Sequence, residues 1–539
     1  MMKINKTYEI KSFLSSSACS QNALGRLKAQ PIPLIWKILM RFSSSQKDVF
    51  TLAAVCMAAL MFGLEISSVP AILPTLEAVL LSSFNDLQWI MNAYTIACTM
   101  VLMAIGTLAD RYGRKRVFMI SLVLFGMTSL SCGLAQNNDV LIASRFLQGM
   151  AAGAMLICQV AVLSHRFQSA AARGKAFSAW GIVFGMGLGF GPIIGAGIVA
   201  VSSWEWVFLV HAPIAVLALG LVIAGVDESK DPQRRRLDVL GMTSLSLAVL
   251  GLSWFLTQGA ATGFSTREAM FSLLVAVVSV SAFVLTQRRG VDPMFDFSVL
   301  RIPRFSGALV GAAAMNFSFW PFMIYLPLYF QNSLGYSSVG TGLALLAYTL
   351  PTLVVPPLGE RLALRYRAQV VIPAGLFTIG LGFWLMKWGS SVEQASWLTL
   401  LAGCVLAGTG LGLTNTPVTN TTTGSVPSER SGMASGIDIS ARMISLALNI
   451  ALMGFILVEG TLSSLRSQMP GVVDEEQLRA LAQNISAGNL SAAGQGAALA
   501  HGFGWVMVYG AIAAWVLMAV SGWIFWRGKR STYGVECRP

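Results

Sequence analysis

The short polar segment GTLADRYGRKR, residues 106–116, lies between two long apolar blocks of the chain. It combines one acid with glycines and a dense run of basic side chains: Gly106, Asp110, Arg111, Gly113, Arg114, Lys115 and Arg116. A carboxylate at a helix end can pair with a basic side chain or with the N-terminus of a neighbouring helix. The segment therefore predicts a charged latch between two halves of a membrane protein. The alternative interpretation is a basic loop with a glycine turn.

The apolar blocks beside this segment are typical of the whole chain. Of 539 residues, 55% are hydrophobic and 11% are charged, whereas soluble proteins carry about 25% charged residues. The hydrophobic blocks are about twenty residues long, which as helices crosses the roughly 30 Å hydrocarbon core of a bilayer. The composition predicts an all-α polytopic membrane protein and excludes a soluble one.

Fourteen blocks are candidate transmembrane helices. Their bounds are close to 50–71, 87–109, 115–135, 139–164, 174–199, 204–226, 237–258, 268–286, 305–330, 338–360, 369–388, 397–419, 433–458 and 502–526. Of the 37 Lys and Arg residues, 31 fall in the two termini and in alternate loops. Because basic residues concentrate on the cytoplasmic side, both termini are expected in the cytoplasm. Topology then explains the net charge of +13, and a nucleic-acid partner is excluded.

A weaker copy of the charged loop follows the tenth span. Residues 362–368, LALRYRA, keep four residues of LADRYGR at 108–114, but have Leu364 in place of Asp110. If spans 1–6 and 9–14 are two halves, the two loops occupy equivalent places and spans 7 and 8 are an insertion. Parallel repeats of this kind place the substrate near the midplane between the halves.

The predicted organisation is two six-helix bundles with an insertion and flanking tails. Its parts are a cytoplasmic tail at 1–47, a bundle at 48–226, two inserted helices at 227–304, a bundle at 305–526 with an outer loop at 459–501, and a cytoplasmic tail at 527–539. The basic first tail superficially resembles a transit peptide. We interpret it as a disordered segment attracted to anionic lipid, or as an extension ahead of an alternative start at Met40. The outer loop is expected to be partly helical or disordered.

The fifth span carries glycines at four-residue spacing. Gly187, Gly191 and Gly195 leave one helix face bare, so that another helix can approach closely. Pro192 removes one backbone hydrogen bond from the same helix and permits a bend. The segment therefore predicts close packing of span 5 against another helix.

A few charged residues lie inside the predicted spans, where an unpaired charge is costly. Glu65 in span 1 could exchange a proton, hold a cationic substrate, or serve as a structural partner. Arg145 in span 4 is expected to be paired or to face a wet cavity. Asp438 and Arg442, four residues apart in span 13, predict an ion pair on one helix face or a second proton site.

Polar and aromatic side chains inside the spans are candidates for lining a cavity. Gln148 and Gln159 lie in span 4, and Trp320 and Tyr325 lie in span 9. An aromatic ring can stack on a flat cation, although ordinary packing is the other interpretation. The seven cysteines have no metal-ligand spacing, so neither a metal site nor a disulfide is predicted.

Several of these segments resemble the drug:proton antiporters with fourteen helices, a group of the major facilitator superfamily that includes methyl viologen, quaternary-ammonium and multidrug exporters. Residues 106–116 are similar to the signature loop of the superfamily. Residues 181–197, GIVFGMGLGFGPIIGAG, are similar to the antiporter motif, with Ala196 at its second paired glycine. The segment around Arg145 is similar to an R-x-x-Q-G element in which the arginine is linked to proton transfer.

Two further segments match the family less closely. Glu65 and Pro74 keep the spacing of the D-x-T-x-x-N-x-A-L-P pattern of these exporters. Residues 204–213, WEWVFLVHAP, resemble W-R-W-x-F-x-x-N-x-P but depart from it at Glu205 and His211. Any role of the usual Arg and Asn at these two places is therefore in doubt.

The resemblance implies a major facilitator fold that exports lipophilic, cationic compounds across the cytoplasmic inner membrane in exchange for protons. We expect Glu65, Arg145 and Asp438 to carry proton or substrate coupling, in a monomer that needs no cofactor beyond the proton gradient. The alternative is an exporter of one metabolite, such as a siderophore, a sugar or an amino-acid-like compound. An enzyme or ATP-driven pump is excluded, because the sequence lacks the phosphate-binding motif G-x-x-x-x-G-K-[ST].

Overall fold

The computed structural model describes residues 44–230, 238–290, 297–392, 394–426, 431–469, 475–487 and 495–533. Nearly all of these residues are helical, and the predicted all-α membrane class is confirmed. The described residues do not include 1–43 of the predicted N-terminal tail or 534–539 of the predicted C-terminal tail.

Helices follow one another with short connections. They are α1 (Ser44–Leu80), α2 (Phe84–Tyr112), α3 (Arg114–Gly133), α4 (Asn138–Arg166), α5 (Ala170–Val201), α6 (Glu205–Leu209), α7 (His211–Gly225), α8 (Val239–Thr262), α9 (Arg267–Arg289), α10 (Pro303–Asn316), α11 (Phe319–Leu328), α12 (Ser338–Val354), α13 (Pro356–Tyr366), α14 (Ala368–Gly389), α15 (Trp397–Gly424), α16 (Ser431–Gln468), α17 (Glu475–Ala487) and α18 (Gln495–Tyr533). A 3₁₀ turn spans Phe297–Arg301, and a π turn spans Tyr329–Ser333.

The number of membrane crossings is close to the fourteen predicted. Within the described ranges, 12 helices are long and apolar enough to cross a bilayer, and the bent pair α12–α13 would make 13. Helix α2 is not among them, although it coincides with the predicted span 87–109 and is 29 residues long. The count of fourteen stays a prediction, with α2 as the candidate for the remaining crossing.

The ninth and tenth predicted spans are broken rather than continuous. The ninth consists of α10 and α11, and polar side chains near the break satisfy backbone carbonyls: Asn316 Nδ2 donates to Ala312 O (2.9 Å) and Tyr348 Oη to Phe319 O (2.8 Å). The tenth bends by 42° between α12 and α13, where Pro356 begins the second helix. A proline has no N–H and clashes with the preceding turn, which accounts for the bend.

One hydrophobic core joins the two predicted halves on the side that the charge pattern makes outer. The C-terminal part of α1 contributes Ile72, and the N-terminal part of α2 contributes Leu87, to the same core as Tyr329 and Phe503. Helix α17, in the predicted outer loop, adds Leu478 to this core. The halves are therefore sealed against each other at this end.

The two inserted helices lie beside the seam between the halves. Helices α8 and α9 pack on each other, and α8 also contacts both α2 and α16. On α8, Trp254 lies 5.1 Å from Trp89 of α2, and Val249 packs between Ile96 and Ala447. The insertion thus contacts one helix from each half.

The two repeated loops share a backbone feature. Gly113 between α2 and α3 has φ +115°, and Arg367 between α13 and α14 has φ +70°. In each loop the preceding arginine lies near the ring of the following tyrosine, at 5.6 Å for Arg111 and 5.4 Å for Arg365. The short sequence repeat therefore corresponds to a repeated turn.

Candidate functional site

A fully buried ion pair joins α1 and α4. Glu65 and Arg145 are both 0% exposed, and Arg145 Nη1 donates to Glu65 Oε1. Arg145 Nε also donates to the backbone oxygen of Ile90 on α2, at 3.1 Å. Charges inside a membrane protein are tolerated when they are paired and hydrogen-bonded, and this pair brings together two of the three predicted coupling residues.

Gln148 orients the arginine from the next turn of α4. Its Oε1 accepts from Arg145 Nη1 at 2.7 Å, and its Nε2 donates to Ser129 Oγ of α3 at 2.9 Å. The Cys132 thiol lies 3.5 Å from the same Oε1. The structure therefore places Gln148 inside the ion-pair network rather than at the cavity wall suggested by the sequence.

Two side chains beside the pair were not singled out from the sequence. The ring of Tyr94 on α2 lies under the guanidinium of Arg145, with 4.3 Å between the ring centroid and Cζ. His211, the first residue of α7, places Nδ1 at 3.4 Å from Glu65 Oε2. The departure of His211 from the family pattern was its only signal in the sequence, and Tyr94 was one aromatic among many.

Tyr94 also borders a small cavity between the two halves. Its lining comes from α1, α2, α11 and α16: Ile66, Met91, Tyr94, Thr95, Trp320, Met323, Ile324, Met443, Leu446 and Ile450. The volume is about 30 Å³, whereas sites for drug-sized ligands measure about 300–1,000 Å³. The conformation is thus closed around a small apolar cavity. Tyr94 borders this cavity and also contacts Arg145 of the ion pair.

The other predicted lining residues have different surroundings. Trp320 borders the cavity, whereas Tyr325 donates from Oη to Ile450 O at 2.5 Å and borders a second, smaller cavity with Gln88. Gln159 accepts from Trp180 Nε1 at 2.8 Å and so links α4 to α5. Of the four predicted lining residues, Trp320 is the one placed at the central cavity.

The glycine-rich helix α5 lies flat against α1. Ser67 Oγ donates to Gly187 O at 3.0 Å, and a Cβ added at Gly191 would lie 1.8 Å from Ser67 Oγ. At Gly195 an added Cβ would lie 2.8 Å from Ser68 Cβ. Backbones this close require glycine, which gives the four-residue spacing its physical reason.

The opposite side of α5 contacts the second half. Thr349 Oγ1 of α12 donates to Gly189 O at 2.7 Å, and Gly342 of α12 lies against Pro192 and Ile193. Helix α5 is therefore held between α1, which carries Glu65, and the first helix of the bent span α12–α13. Helix α5 thus connects α1 to the contact between the halves.

The charged loop between α2 and α3 is anchored by an acid that was not predicted. Glu228 Oε1 accepts from the backbone N–H of Lys115 at 3.1 Å, and Oε2 lies 3.6 Å from Arg116 Nε. Gly113 leaves room for this carboxylate, since a Cβ there would lie 2.5 Å from it. These contacts stay within one half. The side chain of Asp110, on which the latch hypothesis depends, lies outside the described parts.

The third predicted coupling residue lies in the second half. Asp438 on α16 is 2% exposed and pairs through Oδ2 with Arg442 Nε at 3.0 Å. Arg442 also donates to Asn415 Oδ1 at 2.6 Å and Thr419 Oγ1 at 3.2 Å, both on α15. The predicted pair on one helix face is present, and it holds two helices of the same half together. Among the residues that the structure describes, no group of His, Cys, Asp and Glu side chains is arranged to bind a metal.

Comparison with known proteins gives relatives along most of the chain. "Multidrug resistance protein Stp" of Mycobacterium tuberculosis (strain CDC 1551 / Oshkosh) is 30% identical over 442 residues, which is 82% of each chain. "Tetracenomycin C resistance and export protein" of Streptomyces glaucescens is 29% identical over 413 residues, or 76% of this chain and 75% of that one.

The fold is shared with solved transporters. The crystal structure of the human organic anion transporter MFSD10 (TETRAN) matches with a TM-score of 0.57 at 15% identity, over 89% of this chain and 99% of that chain. The family model described as Major Facilitator Superfamily matches residues 55–450. The predictions of a major facilitator fold and of a transporter rather than an enzyme are confirmed. The chain is a multi-pass membrane transporter of small molecules that belongs to the Major Facilitator Superfamily.

Proposed function

We propose that this transporter exports lipophilic compounds from the cytoplasm in exchange for protons, with Glu65 as the group that takes up the proton. The observation that carries the proposal is the fully buried Glu65–Arg145 pair, one aromatic ring away from the cavity between the halves. The direction of transport is supported by the name of one relative, which prints resistance and export, and by that of the other, which prints multidrug resistance.

Protonation of Glu65 changes the forces between α1 and α4. While Glu65 is ionised, it compensates the buried charge of Arg145. Removing one partner from a buried ion pair costs about 3–5 kcal/mol, so a proton on Glu65 releases the arginine and favours a rearrangement of the bundle. Because α5 is packed between α1 and α12, the rearrangement reaches the seam between the halves.

The proton gradient supplies enough free energy for this exchange. One charge that crosses a potential of 100 mV releases about 2.3 kcal/mol, which corresponds to about forty-fold accumulation of an uncharged substrate exchanged for one proton. A monovalent cation exchanged for one proton moves no net charge and is driven by the pH difference. The distribution of basic residues supports a topology with both termini in the cytoplasm. In this proposal the transporter acts as a monomer in the cytoplasmic membrane.

The cavity lining favours large apolar substrates with a flat or cationic part. Three methionines, Met91, Met323 and Met443, give the wall adaptable side chains, and Trp320 offers a ring face to a cation. An exporter of one specific metabolite is the second proposal. It would use the same coupling pair with a cavity selective for that compound.

The test is uptake of ethidium and methyl viologen into inverted membrane vesicles, with and without an uncoupler. Uptake is expected to need the proton gradient and to be lost in Glu65→Gln but retained in Glu65→Asp, which keeps the carboxylate. Glu77→Gln is the matched control, because it removes another buried acid of α1 that lies outside the pair.

Each other result has a definite meaning. Gradient-dependent uptake that survives Glu65→Gln places the coupling elsewhere, first at Arg145 or Asp438. Uptake that the uncoupler leaves unchanged contradicts proton coupling. No uptake of either cation favours the exporter of a specific metabolite. Size-exclusion profiles of the purified variants separate lost transport from lost folding.

A further inference from the structure

A histidine lies next to the proposed coupling acid, at a place where the family pattern has asparagine. His211 begins α7 and is 1% exposed. It is one of three histidines in the chain, and the other two, His165 and His501, are exposed. An imidazole is the side chain whose charge ordinarily changes between pH 5 and 8, so its position beside a buried carboxylate calls for a chemical explanation.

The hydrogen-bond partners of the ring determine which nitrogen carries hydrogen. Nδ1 lies 3.3 Å from Phe208 O and 3.4 Å from Glu65 Oε2, and both oxygens are acceptors. Nδ1 is therefore the protonated nitrogen of the neutral ring. Nε2 is then a lone-pair acceptor, and it is buried without a hydrogen-bond partner.

The carboxylate has a matching unsatisfied atom. Glu65 Oε1 accepts from Arg145, whereas Glu65 Oε2 is buried and has no hydrogen bond; its nearest polar neighbour is Nδ1 of His211. Buried acceptors without partners are costly. Each of these two atoms has a free lone pair that can take up a proton.

We propose that His211 is the proton donor to Glu65, so that the coupling site of this transporter is an imidazole–carboxylate pair. The inference rests on the proposed proton coupling at Glu65. An incoming proton forms an N–H bond at Nε2, and the Nδ1–H bond breaks as an O–H bond forms at Glu65 Oε2. The transfer reverses on release: the O–H bond at Glu65 Oε2 breaks as the Nδ1–H bond re-forms, and Nε2 gives its proton to water, which returns the ring to its first tautomer and Glu65 to its ionised form.

The charges around the ring support this direction of transfer. Glu65 of α1 is the acid next to the ring, and Arg145 of α4 is bonded to the other oxygen of that acid. The other titratable groups of this network are Tyr94 of α2 against Arg145, Cys132 of α3 against Gln148, and Cys98 near Tyr94. Within this set Glu65 provides the negative charge that stabilises an imidazolium at 3.4 Å. Once Glu65 has taken the proton, the pair with Arg145 is weakened, as the proposed export cycle requires.

A direct test uses nitrogen-15 NMR of the purified full chain with labelled histidine. The chain has only three histidines, so the signal that disappears in His211→Asn is assigned to His211. Its Nε2 resonance is expected to change from the unprotonated to the protonated form as the pH falls from 8 to 5. In Glu65→Gln the ring has no carboxylate to receive its proton, so Nδ1 is expected to keep its hydrogen over the same pH range, whereas in the wild type Nδ1 loses it. An Nε2 that stays unprotonated throughout, or an Nδ1 signal that responds identically in wild type and Glu65→Gln, overturns the proposal.

Transport measurements separate proton transfer from a structural role. Asn keeps a side-chain donor near the position of Nδ1 but cannot relay a proton, so His211→Asn tests the two roles against each other. We expect ethidium uptake into proteoliposomes at pH 7.5 to fall about tenfold or more, with a smaller loss at pH 5.5, where protons are abundant. His211→Gln should behave similarly, and the exposed-site control His501→Asn should keep the wild-type pH profile.

The two proposals fail in different ways. A wild-type profile in His211→Asn overturns proton donation by His211, even if uptake depends on the gradient. Uptake that is insensitive to an uncoupler overturns the proposed export cycle, and with it the role of His211 in transport. If a variant does not fold, the pH dependence of the His211 nitrogen signals in the wild type and in Glu65→Asp still decides the question. A shorter carboxylate must change that pH dependence if the two groups share a proton.

Discussion

The guanidinium of Arg145 lies on one face of the Tyr94 ring, 4.3 Å from its centroid, and the same tyrosine forms part of the wall of the central cavity. A compound that enters the cavity therefore meets the ring that stabilises the buried arginine. In the proposed export cycle this arrangement connects substrate and proton, because a shift of Tyr94 would change the surroundings of the Glu65–Arg145 pair without direct contact between substrate and acid.

Replacing Tyr94 tests this connection. In Tyr94→Phe the aromatic face remains, and proton-driven ethidium uptake into inverted vesicles is expected to stay within about twofold of wild type. In Tyr94→Leu the cation–π contact, about 0.5–2 kcal/mol, is lost, which predicts uptake about 2- to 30-fold lower. Equal uptake by the Leu and Phe variants would show that the ring contributes only bulk.

Helix α5 provides a prediction about packing. Gly191→Ala places a methyl group against Ser67, and overpacking of this kind costs about 1–3 kcal/mol. The variant should unfold at lower temperature in detergent. Gly197→Ala is the matched control, because no atom lies within 4 Å of its added Cβ. The double variant with Ser67→Ala should recover part of the loss. If both single glycine variants have the same Tm, α1 and α5 are not as close as described.

Much of this architecture could be predicted from the sequence, for identifiable reasons. Apolar blocks of membrane-spanning length dictate helices, and the cost of buried charge singles out Glu65 and Arg145 before any partner is known. The glycine spacing likewise predicts close packing of α5. The partner helix could not be predicted, because the rotation of each helix about its axis depends on contacts distant in sequence.

The residues that were missed illustrate this limit. Glu228 is one of several acids in a charged connection, and its role follows from the position of Gly113 and the start of α3. Gln148 was placed at a cavity wall because it is polar and in a span, but the orientation of α4 directs it to Arg145 instead. Sequence periodicity gives each helix a face, but only the assembled bundle determines what that face contacts.

The two repeated turns predict opposite responses to mutation. Arg367 has φ +70° and ψ +141°, a conformation that costs a non-glycine residue about 1–3 kcal/mol. Arg367→Gly removes this strain and should therefore raise the Tm of the purified protein. The gain is partly offset by the loss of about 1 kcal/mol that the backbone flexibility of glycine costs on folding. Gly113→Ala should lower it, because the methyl group meets Glu228 as well as an unfavourable φ. Changes of the same sign at both positions would contradict the equivalence of the turns.

The outer loop contains an ion pair that predicts a pH dependence. Arg466, near the end of α16, donates to Glu475 at the start of α17, and this hydrogen bond lowers the pKa of the Glu475 carboxyl. A lowered pKa in the folded state means that the contact stabilises α17 at neutral pH and is lost as the pH falls through that lowered value. Proteolysis within the loop at decreasing pH, compared with Glu475→Gln, measures the effect. Cleavage of the wild type should approach that of the variant only in acid.

Asp438 and Arg442 allow the two interpretations of their pair to be separated. If the pair is structural, Asp438→Asn destabilises the protein by up to about 3 kcal/mol, less than for a fully buried pair, because Arg442 keeps its contacts with Asn415 and Thr419. Uptake by the folded fraction should still depend on the proton gradient. Arg442→Gln alone leaves a buried carboxylate without its cation and should cost more. The double variant, with both charges removed, should recover stability and remain coupled. A double variant that is stable but whose uptake is unchanged by the uncoupler would instead make Asp438 a proton site. Loss of a structural ion pair leaves the dependence on the gradient intact, whereas loss of a carboxylate that carries the proton removes it.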